Sequence, residues 1–198
     1  MDLADLASRS VLEVGILSDT HIPYRLKQLP PSVFEAFHGV DVILHAGDVD
    51  RPETLKPLRR IAPVYAVRGN VHVLDLSTGG AALPAVIELC LAGQSLVLTH
   101  GCPGSLVGLW FKGRDLIMRL LNASDTARVN ARIAHRLVAV HAGADILIFG
   151  HTHRAYVERV SQTLVVNPGA VCPTLRERPS VARMTLCQGR ALVGILPL

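Results

Sequence analysis

The chain has 198 residues, 49% of them hydrophobic and only 4% aromatic. That length suits one domain with a full core, and no apolar run approaches the ~20 residues that a membrane span requires. The net charge of +4 is compatible with an anionic substrate, but the basic residues are scattered without interleaved aromatics, so no nucleic-acid surface is indicated.

The opening "MDLADLASRS" carries acids and no basic n-region or apolar h-region, so it does not read as a signal peptide. A cytoplasmic protein with no membrane association is expected. "VLEVGIL" (11–17) reads as a strand. "PPSVFEAFHG" (30–39) begins at prolines and ends at glycine, as a short helix does. "DVILHAG" (41–47) is a buried strand, "RPETLKPLRRI" (51–61) a helix, and "PVYAV" (63–67) a third strand. This βαβαβ order predicts a parallel sheet with right-handed crossovers. Beyond it, "AVIELCLAGQSLVLTHG", "AYVERVSQTLVVNPG" and "ARMTLCQGRALVGIL" read as hairpins. "ADILIFG" (144–150) is another buried strand. Two packed sheets follow, one mostly parallel and one mostly antiparallel, with helices outside. Between them, 103–143 holds two predicted helices. "LVGLWF" and "LIMRLL" have helical spacing, and the second helix has Ser124 as a possible N-cap. Its apolar face is Val129, Ile133, Leu137 and Val140. The chain is expected to be one domain over 1–198 with a helical insertion at about 103–143. The four cysteines (Cys90, Cys102, Cys172, Cys187) show no CxxC spacing and read as reduced thiols, with Cys90 and Cys187 in the core.

Five short motifs share one design, a ligand-type side chain beside glycine or at the end of an apolar strand. They are "SDTH" (18–21), "AGDV" (46–49), "RGNV" (68–71), "LTHG" (98–101) and "FGHTH" (149–153). Parallel strands end on one edge of their sheet, where ligand sites form. In extended chain, residues i and i+2 point the same way, which pairs Asp19 with His21 and His151 with His153. The glycines next to Asp48, Asn70, His100 and His151 allow positive φ and close backbone approach. Imidazoles, carboxylates and an amide, with no thiolate, suit Mn, Zn, Fe or Ni. Seven ligand candidates exceed the three or four of one open catalytic site and suit two ions if one carboxylate bridges. His45, inside the second strand, reads as packed near the site and not as a ligand. His38, His135 and His141 read as helix-surface or helix-end residues. No Walker A loop, HExxH or nucleophile elbow is present.

The ordered set "DTH…GD…GN…HG…GHTH", followed by "NPGA" (167–170), resembles the calcineurin-like metallophosphoesterases, and within them the small single-domain YfcE-like phosphodiesterases. The resemblance covers residues 11 to 196. It implies an α/β fold, a four-layer α/β/β/α sandwich of two mixed β-sheets flanked by helices. It implies a metal-dependent phosphodiesterase acting on small phosphate esters, with two divalent transition metal ions (manganese first, zinc, iron or nickel otherwise). Asp19, His21 and His153 would hold the first ion, Asn70, His100 and His151 the second, and Asp48 would bridge them. A hydroxide shared by the ions would attack phosphorus in line. A phosphomonoesterase on the same site is the alternative within this chemistry. The retromer's phosphoesterase-like subunit, an interaction module with an altered metal site, supplies a non-catalytic one. A homo-oligomer is compatible with either.

Three departures from the family pattern stand out. Relatives read "GNCD" or "GNHE" where this chain has "GNVH", so Val71 follows Asn70 and His72 takes the next place. Asn70 and Asp48 are expected to act in catalysis, and Asn70 and His72 to contact substrate. His72 has the ordinary pKa of a leaving-group acid or a phosphate ligand; its alternative is a supporting residue where relatives carry Asp. "HGC" (100–102) replaces "HGH", keeping His100 but putting Cys102 at the second position. The segment from Cys102 to His141 is long for the minimal relatives. It reads as an extra helical layer, or as a lid or interface using Trp110 and Phe111, with Lys112, Arg114 and Arg119 in reach of a phosphate.

Overall fold

A computed structural model of the chain describes residues 3–70, 83–101, 126–175, 177–187 and 189–198. His72 and Val71, the first predicted insertion helix, Ser124, Cys102, Trp110, Phe111, Lys112, Arg114 and Arg119 lie outside the described residues. The first sheet holds β1 (Val11–Leu17), β2 (Val42–His45), β3 (Val64–Ala66) and the hairpin β9 (Ser180–Cys187) and β10 (Arg190–Pro197), in the order β10-β9-β1-β2-β3. The second holds β4 (Val86–Leu91), β5 (Gln94–Thr99), β6 (Ile146–Ile148), β7 (Tyr156–Val160) and β8 (Thr163–Asn167), in the order β4-β5-β6-β8-β7.

Both sheets are mixed. β1, β2 and β3 run parallel, with β9 antiparallel on the other side of β1. β5, β6 and β8 also run parallel, flanked by antiparallel β4 and β7. The reading of one mostly antiparallel sheet is therefore corrected. The predicted hairpins exist, but the last one joins the first sheet, and the other two each give their inner strand to a parallel core. A hairpin's sequence reports its own pairing and not which sheet its free edge meets.

Period-2 alternation sorts side chains to the two faces of each sheet. Val14, Ile16, Val42, Leu44, Leu96, Leu98, Ile146, Ile148, Leu164 and Val166 fill the core between the sheets. Ile43 points the other way, under α2 (Pro31–Ala36) and two 3₁₀ turns, Pro52–Leu55 and Leu58–Arg60. Val97, Leu147 and Val165 point out of the second sheet under α3 (Thr126–Val140). These are the four layers α/β/β/α. α1 (Leu3–Ser8), which no sequence signal marks, adds Leu6 to the inter-sheet core and bonds the β4–β5 turn through Leu6 and Ala7 carbonyls.

Three further expectations change. The helix over 51–61 is two 3₁₀ turns, because Pro57 lacks the N–H that would bond the Glu53 carbonyl; Lys56 N–H takes that carbonyl instead, at 3.0 Å. Cys90 is exposed and Cys187 half-buried: each neighbours an inward leucine on its strand, so each faces away from the inter-sheet core. On α3, Val140 is 68% exposed, and the stripe that packs is Asn130, Ile133, Ala134, Leu137 and Val138. No helix among the described residues is long and apolar enough to cross a membrane.

Candidate metal centre

Five strands deliver the motifs to one end of the sandwich. β1, β2 and β3 are followed by Asp19 and His21, by Asp48, and by Asn70; β5 and β6 are followed by His100 and by His151 and His153. Because these strands run parallel in their sheets, their C-terminal ends share an edge, as expected.

The backbone reaches the site by a different device from the expected one. Asp19, His21, Asp48, His151 and His153 all have φ between 46° and 72°. They are left-handed turn residues and not extended chain, so i, i+2 alternation does not explain their pairing. His153 lies beside Asp19, with its Nε2 3.2 Å from Oδ1. His151 turns to Asn70, whose side-chain nitrogen lies 2.5 Å from His151 Nδ1. Two of the four glycines supply positive φ, Gly47 at +100° and Gly101 at +87°. Gly69 and Gly150 supply space instead. A Cβ on Gly69 would collide with the Asp48 carboxylate, and one on Gly150 with the Ser18 hydroxyl and, at 2.9 Å, with Asp19 Oδ2.

The side chains form two groups that meet at Asp48. Asp19, His21, Asp48 and His153 each offer a donor atom, and these atoms lie within 4.8 Å of one another. Asp48 Oδ2 is 3.3 Å from His21 Nε2 and 3.4 Å from His100 Nε2, so one oxygen faces both groups. Its Oδ1 accepts the Asn70 backbone N–H at 2.8 Å. The His100 and His151 rings are 5.4 Å apart, centre to centre.

Outer contacts fix these orientations. Asp19 Oδ2 accepts the Ser18 hydroxyl at 2.5 Å and the His151 N–H at 3.1 Å, leaving Oδ1 for the centre. His100 Nδ1 donates to the Ala46 carbonyl at 2.7 Å, which aims Nε2 inward. His21 Nδ1 lies 3.5 Å from Asp50 Oδ1. Among the described residues, Asp19 Oδ1, His21 Nε2 and His100 Nε2 are buried without a hydrogen-bond partner. Buried polar atoms are normally satisfied, and unpaired donor atoms on both sides of Asp48 fit the binding of divalent cations. The donor chemistry of carboxylates, imidazoles and an amide fits one of the manganese-to-zinc series.

Electrostatics follow the same design. Burial alone would raise both carboxyls, but His153 and His100 outweigh it at Asp19, and His100 and His21 at Asp48, so both are held below the usual range. Burial pulls His100 and His153 down, yet Asp48 raises His100 to about 9 and Asp19 raises His153 to about 10. For His151, burial and the His100 charge prevail, lowering it to about 4. Burial likewise lowers His45 to about 4. Neutral His45 accepts the Gly47 N–H on Nδ1 at 3.2 Å and lies 3.3 Å from Thr20 Oγ1, packed beside the site as expected.

Two residues were missed in the sequence. Asp50 sits two places beyond Asp48 with nothing to mark it. Cys172, fully buried just after "NPGA", places Sγ 3.9 Å from His153 Nδ1 and 3.8 Å from an Arg25 guanidinium nitrogen. Its sulfur also lies within 4.8 Å of donor atoms of His21 and His153. A thiol thus borders a ligand set that the sequence reading took to be free of sulfur. His135 is exposed on α3, His38 is exposed just beyond α2, and His141 is half-buried just beyond α3, on the helix surfaces and ends expected of them.

Two packed mixed sheets thus bring the ends of their parallel strands, and with them a buried carboxylate–imidazole cluster that could hold a metal ion, to one end of the sandwich. The sequence profile of the calcineurin-like phosphoesterase superfamily domain matches residues 12–189, and the chain belongs to that family. A protein of Methanothermobacter thermautotrophicus named "probable metallophosphoesterase" is 31% identical over 87% of this chain and 80% of its own. A phosphodiesterase of Methanocaldococcus jannaschii is 23% identical over 86% of this chain and 90% of its own. In fold, the chain is similar to vacuolar protein sorting 29 from Cryptosporidium parvum, with a TM-score of 0.60 and 21% identity over 96% of this chain and 99% of the other. It is similar as well to a structurally characterised archaeal phosphodiesterase, with a TM-score of 0.59 and 20% identity over 93% and 100%.

Proposed function

We propose that the chain is a metal-dependent phosphodiesterase that hydrolyses small phosphodiesters at a two-cation site, with manganese as the first choice of ion. The observation that carries this reading is Asp48, whose Oδ2 faces a histidine of each group at 3.3 and 3.4 Å. Asp19, His21 and His153 would hold one ion, Asn70, His100 and His151 the other, with Asp48 shared. Such ions would supply positive charge to the phosphoryl oxygens and would lower the pKa of a bound water.

The chain's own residues prepare that chemistry. His100 and His153, raised to about 9 and about 10 in the metal-free chain, would give up their protons to serve as ligands. Asn70 ligates without adding negative charge, which preserves the net positive field that a phosphodiester anion requires. Buried Asp19, Asp48 and His100 keep bulk water from the cluster. His72 is assigned to the leaving-group oxygen or to the phosphate.

The likeness to vacuolar protein sorting 29 favours a second reading, an interaction module on the same fold. The retention of all seven candidate ligands in the sequence favours the enzyme.

The test is turnover by chelator-stripped protein with Mn²⁺ restored, on bis- and mono-p-nitrophenyl phosphate. Metal-dependent turnover, faster on the diester, is expected, and Asp48→Asn should abolish it. Turnover confined to the monoester would make the chain a phosphomonoesterase. No metal-dependent turnover on either substrate would leave the interaction module.

A further inference from the structure

Asn130 is a polar residue in the middle of α3, 1% exposed, on the face that packs against the second sheet. Asparagine is a poor helix former, and a buried amide is costly unless its hydrogen bonds are met. Both ends of this amide are met, and both partners belong to the histidine loop. Oδ1 accepts the Thr152 hydroxyl at 2.7 Å, and Nδ2 donates to the Arg154 carbonyl at 3.1 Å.

Thr152 stands between His151 and His153, whose φ angles of 72° and 61° are ones that non-glycine residues rarely hold. Such geometry persists only where the surroundings over-determine it. A hydroxyl has one proton to give and two lone pairs. That of Thr152 gives its proton to Asn130 and accepts from Asn167 Nδ2 at 3.1 Å and the Arg154 N–H at 3.4 Å. Asn167 Nδ2 also donates to the Gly150 carbonyl at 2.8 Å. The loop is thus gripped from two sides, by β8 through Asn167 and by α3 through Asn130.

We propose that Asn130 is a positioning residue: through Thr152 and the Arg154 carbonyl it holds His151 and His153 in their left-handed turn, and so ties the geometry of the metal centre to this one side chain of α3. The proposal rests on the two-cation reading for its consequence and on the hydrogen-bond network for its cause. It gives the helical segment a role in the site that neither a passive extra layer nor a lid would have.

The test uses the full chain, chelator-stripped, in two measurements. Amide hydrogen exchange of residues 150–155 in chelator reads the loop without any metal. Titration with Co²⁺, followed by its visible ligand-field bands, reads the centre. Asn130→Ala should speed exchange in the loop about tenfold, as the loss of one buried hydrogen-bond partner implies, and weaken Co²⁺ binding about 10–100-fold. Asn130→Asp, which keeps an acceptor for Thr152, should fall between it and the parent chain. Leu137→Ala, which loosens α3 without touching the loop, should lower the melting temperature and leave both readouts near the parent values. Wild-type loop exchange in Asn130→Ala, or an equal change in Leu137→Ala, would overturn the proposal. If the parent chain takes up no Co²⁺, the two-cation reading falls, and the exchange measurement still decides for or against the Asn130 grip.

Discussion

Five of the seven candidate ligands hang from left-handed backbone, at a cost of about 1–3 kcal/mol each. The neighbours that hold them are as specific as the ligands. Ser18 and the His151 N–H bind the outer oxygen of Asp19, and Ala46 binds the outer nitrogen of His100. Cys172 takes the corresponding place behind His153. Removing an outer partner of a ligating histidine typically costs 10–100-fold in metal affinity. Cys172→Ala is therefore expected to weaken binding of the first ion by about that factor while leaving the second ion unaffected. A stepwise Co²⁺ titration checks this, and unchanged affinity in both steps would return Cys172 to the role of a filler.

At the scale of elements, the centre belongs to strand ends and to the room left between them. The ends of β1, β2 and β6 approach so closely that Gly150 has the Ala46 carbonyl and Asp19 Oδ2 each 2.9 Å from where a Cβ would stand. Backbone and a buried carboxylate cannot retreat as a flexible side chain can. Gly150→Ala should therefore displace Asp19 or His151 and reduce metal-dependent turnover by two orders of magnitude or more, about what small misplacements of a reacting centre cost. The exposed Gly93, with nothing within 4 Å of its would-be Cβ, is the control, although its φ of +74° costs some stability on substitution; Gly93→Ala should melt earlier yet turn over normally once folded.

At the scale of the whole molecule, four displaced histidines among the described residues of the metal-free chain pull in opposite directions. His100 and His153, raised to about 9 and about 10, stabilise the fold fully below the unfolded value of ~6.5, and that contribution is lost as pH climbs toward 9–10. His45 and His151, lowered to about 4, refuse a proton that the unfolded chain accepts, so stability falls as pH drops from ~6.5 toward 4. The depressed Asp19 and Asp48 add to the acid-side loss below ~4. In chelator, the melting temperature should peak near about pH 6.5, with each histidine contributing at most about 1.4 kcal/mol per pH unit on its flank. A melting temperature still rising between pH 7 and 9 would contradict this charge arrangement. Restoring Mn²⁺ at 100 times its Kd should add about 2.7 kcal/mol.

The sequence by itself determined most of the strands and named the candidate ligands. "VLEVGIL", "DVILHAG" and "PVYAV" are apolar runs of strand length, and β1, β2 and β3 lie within them. Asp19, His21, Asp48, Asn70, His100, His151 and His153 were named from motifs at strand ends, and all seven stand at one end of the sandwich. What only the tertiary structure decided is everything that depends on which face meets which. The last hairpin joins β1 and not the second sheet. Cys90 turns outward, and Val140 leaves the packed face of α3 to a stripe that includes Asn130. Cys172 and Asp50 reach His153 and His21 from places that no spacing marks. The physical reason is range: propensity, period and turn chemistry act within a few residues of chain, whereas the grip of Asn130 on Thr152 or of Cys172 on His153 exists only after two sheets and a helix have packed around them.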